Sequence, residues 1–317
     1  MIVRFSSIGD IVMTTPVIRL LKTQLEGEVE IDYITKQAHV SILDLNPHLN
    51  RVIGIQKHVS EVAQVLREAN YDYVIDLHNN LRSRQVKRAI KALTFTIEKR
   101  NLAKWIYVRT KKEWLPIGHF TERCIAAVKP LGIVDDEKGL DFFIPKDKEI
   151  SIQSLPERFH NGYVAYAIGG KMEGKVLPTR KIIELCENIE KPIVLLGGKE
   201  DAVRGFEISQ RTERHVWNTC GKLDLQQSAS FIKQAEVIIT HDTGLMHIAA
   251  ALEKRIISLW FATTPQLGFS PWRPGSGSVM IEADCEKRPT SKLGNRGFND
   301  GCVFNVDLEK VVKEVNA

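Results

Sequence analysis

The sequence predicts an α/β fold with two Rossmann-like domains, each containing a parallel β-sheet with helices on its faces. Three observations support this prediction. Short runs of β-branched and aliphatic residues alternate with longer segments of helical periodicity. Several of these runs end in a polar turn that contains glycine. The alternation begins again after a charged, irregular stretch, which places the first domain at residues 1–150 and the second at residues 151–317.

The composition fits two globular domains of ordinary size. A length of 317 residues with 43% hydrophobic residues is sufficient for two cores. The longest apolar runs have the length of strands, so neither a membrane-spanning helix nor a signal peptide is expected. The five cysteines form no Cys-x-x-Cys pair, which argues against a zinc site and a disulfide framework and favours a reducing cytoplasm.

The first strand–turn–helix unit lies at the amino terminus. A strand is predicted over residues 2–5, and the polar loop after it ends at Asp10. The following helix carries an apolar stripe; Pro16 is compatible with its first turn, and Thr15 is the expected cap. Asp10 has two interpretations here. It is either an acid that caps the helix or a carboxylate that faces a ligand at the carboxyl edge of the sheet.

A second polar turn is expected at the same edge of the first sheet. Further strands are predicted at residues 29–34, 52–55 and 73–77, and a helix at residues 61–70. The turn after the last of these strands contains Asn79, Asn80 and Arg82. Because parallel strands share one carboxyl edge, this turn should lie near Asp10. Its side chains are candidates for binding a polyhydroxylated acceptor, and an ordinary capped turn is the alternative.

The segment 82–112 has a strongly one-signed charge. It contains eleven basic residues and one acid, Glu98, which gives a net charge of +10 against +5 for the whole chain. Trp105 lies within it and Trp114 just after it. Such a segment attracts nucleic acid, anionic lipid or an acidic substrate. No nucleic-acid-binding motif accompanies it, so nucleic acid is not the expected partner.

The second domain begins with a predicted strand at residues 163–168, which leads into a glycine-rich loop. The loop contains Lys171 and Lys175, and two lysines on a flexible loop form a suitable clamp for a phosphate. A surface loop without a ligand is the alternative. A later strand, residues 193–198, ends in a glycine pair that is followed by two acids, Glu200 and Asp201.

The strand predicted at residues 235–239 leads into the most distinctive turn of the chain. Asp242 or Thr243 can cap the helix that follows, and Gly244 allows the backbone to approach a ligand closely. The N–H groups of the first helical turn and the helix dipole favour an anion such as a diphosphate. His247 lies about one turn further on, near enough to reach the same ligand. The alternative is an ordinary capped helix with a half-buried histidine.

Two of these motifs resemble the signatures of glycosyltransferase family 9, the ADP-heptose:lipopolysaccharide heptosyltransferases. Residues 242–247 are similar to the family's Asp-Thr-Gly-x-x-His motif, and residues 6–17 are similar to its amino-terminal motif. The resemblance implies the GT-B arrangement, in which two Rossmann-like domains face each other and bind the ligand in the cleft between them. It also implies that Asp10, the aspartate after the glycine, is the catalytic base.

The resemblance extends to other parts of the second domain. By its spacing to the following proline, Lys175 corresponds to a lysine that contacts the donor phosphate. Leu177 stands where the family usually has tryptophan, so Lys171 remains a second candidate. The family also has an acid that holds the ribose of the nucleotide, and either Glu200 or Asp201 fits that position.

The activity implied by the resemblance is inverting, metal-independent transfer of a heptose. The donor would be ADP-L-glycero-D-manno-heptose, and the acceptor a Kdo or heptose hydroxyl of the anionic lipopolysaccharide inner core, which the basic segment would attract. The resemblance implies no cofactor, a cytoplasmic location and peripheral contact with the inner membrane. Two alternatives remain: a non-catalytic protein that binds a nucleotide or a sugar nucleotide, and a family member with a different donor sugar. A dehydrogenase is not expected, because no Gly-x-Gly-x-x-Gly follows a strand.

Overall fold

The computed structural model describes residues 1–212, 215–295 and 301–317. The chain forms two compact units. The first comprises Met1–Arg100 and Gly118–Phe143, and the second comprises Asn101–Ile117 and Ile144–Ala317. The sequence prediction placed the change of domain at residue 150 and included residues 101–117 in the first domain. That short segment groups with the second unit because side chains along it contact other residues of that unit.

Within the described residues, the first unit contains a parallel sheet of five strands. The strands are β1 (Ile2–Val3), β2 (Asp32–Lys36), β3 (Arg51–Ile55), β4 (Tyr73–Asp76) and β5 (Leu93–Thr96). Their order across the sheet is β3-β2-β1-β4-β5. The strand order therefore reverses between β1 and β4, which makes this the topological switch point of the sheet.

Six helices lie between residues 8 and 128. They are α1 (Ile8–Val12), α2 (Thr15–Gln24), α3 (Ala63–Glu68), α4 (Leu81–Ile90), α5 (Asn101–Thr110) and α6 (Phe120–Val128). Helix α5 belongs to the second unit. The predicted cap of α2 was wrong by one residue, because Thr14 is the N-cap and Thr15 the first helical residue. Thr14 also closes α1, since its backbone N–H and its hydroxyl both donate to the Ile11 carbonyl.

The described part of the second unit contains a parallel sheet of six strands. The strands are β6 (Val164–Ala167), β7 (Ile193–Leu196), β8 (Val216–Asn218), β9 (Val237–His241), β10 (Ile256–Trp260) and β11 (Val279–Glu282). Their order is β11-β10-β9-β6-β7-β8, so the order reverses between β6 and β9. The helices are α7 (Thr179–Asn188), α8 (Ala202–Arg211), α9 (Leu225–Gln234), α10 (Gly244–Ala251) and α11 (Leu308–Asn316). Among all the residues that the structure describes, these helices and α1–α6 include none long and apolar enough to cross a bilayer.

Two strands end later in the sequence than predicted, because they pair with neighbouring strands beyond the predicted ends. β9 continues to His241, because Thr240 and His241 pair with Ser258 and Leu259 of β10. β2 likewise runs through Lys36, which pairs with the last residue of β3. The shift of β9 matters for the site, because it makes Asp242 the first residue after the strand.

Each unit has its own hydrophobic core. In the first, Val3 and Phe5 pack with side chains of β2 and β3. In the second, β10 is buried along its whole length, which explains its nearly continuous apolar sequence. Burial of both faces therefore stabilises the two sheets, and polar residues lie at their carboxyl edges.

The expectation that the cysteines form no disulfide was wrong for one pair. Cys285 and Cys302 form a disulfide, whereas Cys124, Cys186 and Cys220 are free and buried. The two partners are brought together by the backbone beside them, because the Asp284 N–H donates to the Asn305 carbonyl at 2.8 Å. Their Cα atoms lie 5.4 Å apart, a normal separation for a disulfide.

Candidate active site

Most of the predicted site residues lie at the switch points of the two sheets, whereas Glu200 and Asp201 follow β7. In the first unit, Asp10 follows β1, and residues 78–82 follow β4, the two strands between which the order reverses. In the second unit, Lys175 lies in the loop after β6, and residues 242–247 follow β9. Open α/β sheets bind their ligands outside the carboxyl ends of strands at such points. The topology thus gives each unit one candidate site.

Asp10 is held by two neighbours of the first unit. One carboxylate oxygen pairs with the Arg4 guanidinium at 2.9 Å. The other accepts hydrogen bonds from the backbone N–H and the hydroxyl of Ser7, at 2.8 and 2.6 Å. The side chain is 19% exposed. Asp10 therefore caps α1, as one interpretation of the sequence had it, and still presents part of its carboxylate to solvent.

The environment of Asp10 favours its ionised form. Burial alone would raise the pKa of this carboxyl, but the Arg4 guanidinium and the hydrogen bonds from Ser7 lower it below its ordinary value. Asp10 is consequently a carboxylate at neutral pH. A general base must be unprotonated, and Asp10 meets that requirement while being only weakly basic.

Arg4 is a site residue that the sequence analysis missed. Besides the pair with Asp10, its guanidinium donates to the carbonyl of Leu77, just after β4, at 2.7 Å. It also lies over the Phe120 ring, 4.9 Å from the ring centre. Arg4 thus joins the ends of β1 and β4. The signal that could have identified it is a single cation within an otherwise apolar first strand.

His78, which follows β4 and is a second candidate base in the first unit, is neutral at physiological pH. Burial, together with the nearby charges of Arg4 and Lys99, lowers its pKa to about 4. Its Nδ1 accepts a hydrogen bond from the backbone N–H of Phe5 at 3.2 Å. That nitrogen therefore carries no proton in this arrangement and serves to join the loops after β1 and β4.

The three predicted acceptor residues have different surroundings. The Asn80 side chain caps α4 by accepting from the Ser83 N–H at 2.9 Å. The Asn79 amide donates to the Ile97 carbonyl at 3.2 Å, and its φ of 51° is in the left-handed region that asparagine tolerates. Arg82 is half-buried with its guanidinium 5.3 Å from the centre of the Phe5 ring. The turn is therefore a capped turn, and Arg82 brings a cation close to the loop that contains Asp10.

Three side chains converge at the switch point of the second unit. Lys175 Nζ pairs with an Asp242 carboxylate oxygen at 2.5 Å. The same oxygen accepts a hydrogen bond from the Thr263 hydroxyl at 3.0 Å. The side chain of Asp242 is 9% exposed and that of Lys175 is 20% exposed. Lys175, Asp242 and Thr263, which we call the lysine cluster, come from the loops after β6, β9 and β10, so only the tertiary fold brings them together.

Gly174 explains how the loop after β6 reaches this position. Its carbonyl accepts from the Ala262 N–H at 2.8 Å. A side chain at residue 174 would collide with the Gly294 carbonyl and the Ala262 side chain. Glycine is required because three backbones approach each other closely here. The contact fixes Lys175, the next residue, against Asp242.

The helix after β9 begins beside the lysine cluster. Thr243 is the N-cap of α10, and its side chain makes no capping hydrogen bond. Gly244 is the first helical residue, and His247, in the first turn, is 4% exposed. Helix α10 therefore directs its positive dipole end toward the cluster without a capping oxygen from Thr243, an arrangement suited to an external anion.

The remaining candidates of the second unit separate into exposed and buried residues. Lys171 is exposed, whereas Lys175 is part of the lysine cluster. Glu200 is also exposed. Asp201 is buried, accepts from the Gly198 N–H at 2.9 Å, and has its pKa raised by burial. Glu200 is therefore the more accessible of the two acids, whereas Asp201 is buried in the turn after β7.

His241 is a second residue that the sequence analysis missed. It ends β9, is fully buried, and burial lowers its pKa to about 3, so it is neutral. Its Nε2 accepts from the Leu177 N–H at 3.5 Å, which links the end of β9 to the loop carrying Lys175. A lone histidine within an apolar strand was the available signal. Within residues 1–212, 215–295 and 301–317, no group of three or more His, Cys, Asp or Glu side chains is arranged to hold a metal ion.

Comparison with known families identifies the chain. The model of glycosyltransferase family 9 (heptosyltransferase) matches residues 59–294. The chain belongs to glycosyltransferase family 9. The matched range includes the lysine cluster and the helix after it, whereas Asp10 lies outside it. This family 9 protein is therefore a glycosyltransferase, as the resemblance implied.

Relatives and solved structures agree with this assignment over almost the whole chain. The family 9 chain is 23% identical to lipopolysaccharide heptosyltransferase 1 of Campylobacter coli, covering 99% of this chain and 98% of that protein. A family 9 glycosyltransferase of Veillonella parvula has a TM-score of 0.79 at 18% identity, covering 99% of this chain and 95% of that one. The Escherichia coli ADP-heptose lipopolysaccharide heptosyltransferase II has a TM-score of 0.74 at 18% identity, with 99% and 96% covered. The predicted α/β fold with parallel, Rossmann-like sheets is thereby confirmed.

Proposed function

We propose that this family 9 glycosyltransferase transfers a heptose from ADP-heptose to a hydroxyl of the lipopolysaccharide inner core, with inversion at the anomeric carbon. The names of the relatives support both substrates, since the Campylobacter coli protein is a lipopolysaccharide heptosyltransferase and the Escherichia coli enzyme is an ADP-heptose lipopolysaccharide heptosyltransferase. The acceptor sugar is a Kdo or an earlier heptose. The second unit, which includes the predicted domain 151–317, binds the donor. The first unit, which lies within the predicted domain 1–150, binds the acceptor.

The lysine cluster is the observation that carries the proposal. A departing ADP accumulates negative charge on its diphosphate as the bond to the sugar breaks, and that charge requires stabilisation. Lys175 supplies a cation held within 2.5 Å of Asp242, and the amino-terminal end of α10 supplies N–H groups and a positive dipole end. Thr243, Gly244 and His247 belong to this same turn. In this interpretation Asp242 acts by holding Lys175 in place.

The acceptor hydroxyl needs a base as it attacks the anomeric carbon. Asp10 takes its proton while the new carbon–oxygen bond forms and the bond to the diphosphate breaks. Direct displacement from the opposite face inverts the anomeric configuration. Arg4 keeps Asp10 ionised, so that the carboxylate can accept the proton when the hydroxyl becomes acidic in the transition state. Arg82, with Asn79 and Asn80 in the same turn, is proposed to bind the acceptor.

The nucleotide's ribose is proposed to bind at the end of β7. A carboxylate paired with ribose hydroxyls is the device that dinucleotide sites use. Glu200 and Asp201 remain the two candidates, of which Glu200 is exposed and Asp201 is buried. Lys171, exposed in the loop after β6, is the second candidate for a phosphate contact.

Leaving-group stabilisation by Lys175 and α10 requires no metal ion. We therefore expect turnover to survive exhaustive treatment with EDTA, within the error of the assay. The control is the same enzyme assayed with added magnesium. Loss of turnover in EDTA and its recovery with magnesium would mean that a cation, rather than this cluster, stabilises the diphosphate.

The basic segment offers an electrostatic test of the anionic acceptor. Arg84 and Arg88 are exposed on one side of α4, and Lys91, the residue just after the helix, is also exposed. Lys87 is unsuitable for substitution, because it pairs with the buried carboxylate of Asp76 at 2.9 Å. Replacing the three exposed residues with serine should raise the acceptor KM by roughly 3- to 30-fold at low salt, with the donor KM unchanged.

A matched variant separates this effect from a general change of charge. Lys57, Arg67 and Lys129 are also exposed in the first unit, and their replacement with serine removes the same net charge. The control should leave the acceptor KM near that of the wild type. If the acceptor KM responds equally to both triple variants, or to neither, the exposed cations at α4 do not attract the acceptor and contribute only to solubility.

The proposed location is the cytoplasm, at the inner face of the inner membrane, because the proposed acceptor is anchored there by its lipid. The experiment for the function as a whole is mass spectrometry of the lipopolysaccharide core from a strain that lacks this protein. A core truncated at a heptose supports the proposal. An intact core excludes this acceptor, while a core lacking another sugar indicates a different donor. Tight ADP binding without any change in the core indicates the non-catalytic alternative.

A further inference from the structure

Helix α5 buries a lysine and exposes two large apolar side chains. Its Lys104 is buried, with the ammonium 4.4 Å from the centre of the Phe269 ring. Lys111, just after the helix, donates to the Pro289 carbonyl at 2.6 Å. Leu102 and Trp105, in contrast, are 64% and 55% exposed. The helix is thus fixed to the second unit through cations and presents apolar side chains to solvent.

Two further exposed apolar side chains follow the helix in sequence. Residues 102 and 105 are neighbours on one side of α5, since they are three positions apart. Trp114 is 67% exposed and Leu115 is 42% exposed in the loop that follows. We call Leu102, Trp105, Trp114 and Leu115 the α5 face. Single exposed apolar residues are common on proteins, but two tryptophans and two leucines within one short segment indicate a binding surface.

Most of the charged residues in the segment that carries the α5 face are basic. Arg109 and Lys112 are exposed, and the Arg109 guanidinium lies 5.7 Å from the centre of the Trp105 ring. Glu113 is the only acid in the sequence of residues 101–117. Its carboxylate accepts from the backbone N–H of Ile117 at 3.0 Å. A partner of this face therefore has to be apolar and anionic.

We propose that the α5 face binds the surface of an anionic lipid bilayer, with both tryptophans at the level of the headgroups. Tryptophan favours this region because its ring is apolar and its N–H is polar. Leucines contribute buried apolar area, and Arg109 and Lys112 attract anionic headgroups. A nucleic acid would satisfy the cations but leave the leucines exposed. The proposal goes beyond heptosyl transfer, and it names the residues that make the membrane contact.

Co-sedimentation of the full chain with vesicles tests the proposal without any enzyme assay. Vesicles of phosphatidylcholine with phosphatidylglycerol should bind the protein, and vesicles of phosphatidylcholine alone should bind it several-fold more weakly. W105S/W114S should weaken partition to the anionic vesicles by roughly 10- to 100-fold. W105F/W114F should retain most of the binding, since phenylalanine preserves the apolar area. These vesicles contain no lipopolysaccharide, so binding to them reports lipid rather than the glycosyl acceptor.

A control on the same unit checks that the effect belongs to this face. Val203 and Phe206 of α8 are 82% and 61% exposed, so V203S/F206S removes a comparable apolar area elsewhere. This variant should partition like the wild type. Equal loss in both double variants, or no binding of the wild type to anionic vesicles, overturns the proposal. It is equally overturned if W105S/W114S dissociates a dimer in sedimentation velocity, or if the face binds single-stranded DNA and no vesicles.

Discussion

Replacement of Asp10 with asparagine is expected to lower kcat by roughly 10²- to 10⁴-fold, the usual contribution of a general base. Asparagine keeps an oxygen that can accept from Ser7, so the cap of α1 survives. It cannot take the proton of the acceptor hydroxyl. The affinity for ADP, measured by calorimetry, should be unchanged, because the proposed diphosphate site is in the second unit.

The variant also loses an ion pair, and that loss has to be separated from chemistry. Removing the charge opposite Arg4 should lower the free energy of unfolding by about 1–2 kcal/mol. Asp136 provides a matched control, because it pairs with Arg19 at 2.8 Å and is also 19% exposed. Asp136→Asn should lose similar stability, measured by thermal unfolding, and retain normal kcat. Near-normal turnover of Asp10→Asn would make Asp10 a structural cap and His78 the next candidate base.

The pH profile adds an independent check on the base. The base is active when ionised, so activity is lost as pH falls through its pKa. The Arg4 guanidinium holds the pKa of Asp10 below its ordinary value, so kcat/KM should remain level as pH decreases to about 5. His78→Gln should retain this profile and most of the kcat. A limb near pH 6–7 in the wild type would indicate a base other than Asp10, and also other than His78, whose pKa is about 4.

Replacement of Lys175 with methionine should lower kcat/KM by roughly 10²- to 10³-fold, the scale observed when one donor to a developing negative charge is removed. Methionine preserves much of the aliphatic stem and removes the ammonium. Lys171→Met is the matched control in the same loop, because Lys171 is exposed and lies outside the lysine cluster. If Lys171→Met has the larger effect, the assignment of the two lysines has to be exchanged.

A double-mutant cycle tests how Asp242 acts. Asp242→Asn retains an acceptor for the Thr263 hydroxyl but no longer pairs with Lys175 as a charge. If Asp242 only positions Lys175, the double variant should be no slower than Lys175→Met alone. Losses that multiply would mean that Asp242 contacts the donor by itself. Circular dichroism of all three variants controls for unfolding.

The sequence could predict where the sites lie because their signals are local. An apolar strand followed by a polar turn with glycine marks the carboxyl edge of a sheet, and this pattern identified the turns at Asp10 and at residues 242–247. Pairing with neighbouring strands then shifted the ends of β2 and β9, which local patterns cannot determine. The local sequence thus predicts which turn carries a site, but not the residue at which the preceding strand ends.

The contacts within the sites could not be predicted, because they join distant parts of the chain. The lysine cluster requires three loops to meet, and Gly174 permits this by its close approach to the backbone at Gly294. Arg4 was overlooked because a single cation in the predicted first strand does not reveal that it pairs with Asp10 and contacts Leu77. Helix α5 was not predicted, because its segment was interpreted only through its basic charge. Its place in the second unit depends on contacts with Phe269 and Pro289.

Inverting heptosyl transfer can be tested with the purified protein in a single assay. The purified protein is incubated with ADP-heptose, whose anomeric configuration is known, and a deacylated inner-core acceptor. The product is then examined by mass spectrometry and NMR spectroscopy. We expect an acceptor heavier by one heptose, an equal amount of ADP, and an anomeric configuration opposite to that of the donor. The product should be greatly reduced for Asp10→Asn. Retained configuration, or ADP binding without any product, would contradict the proposed function.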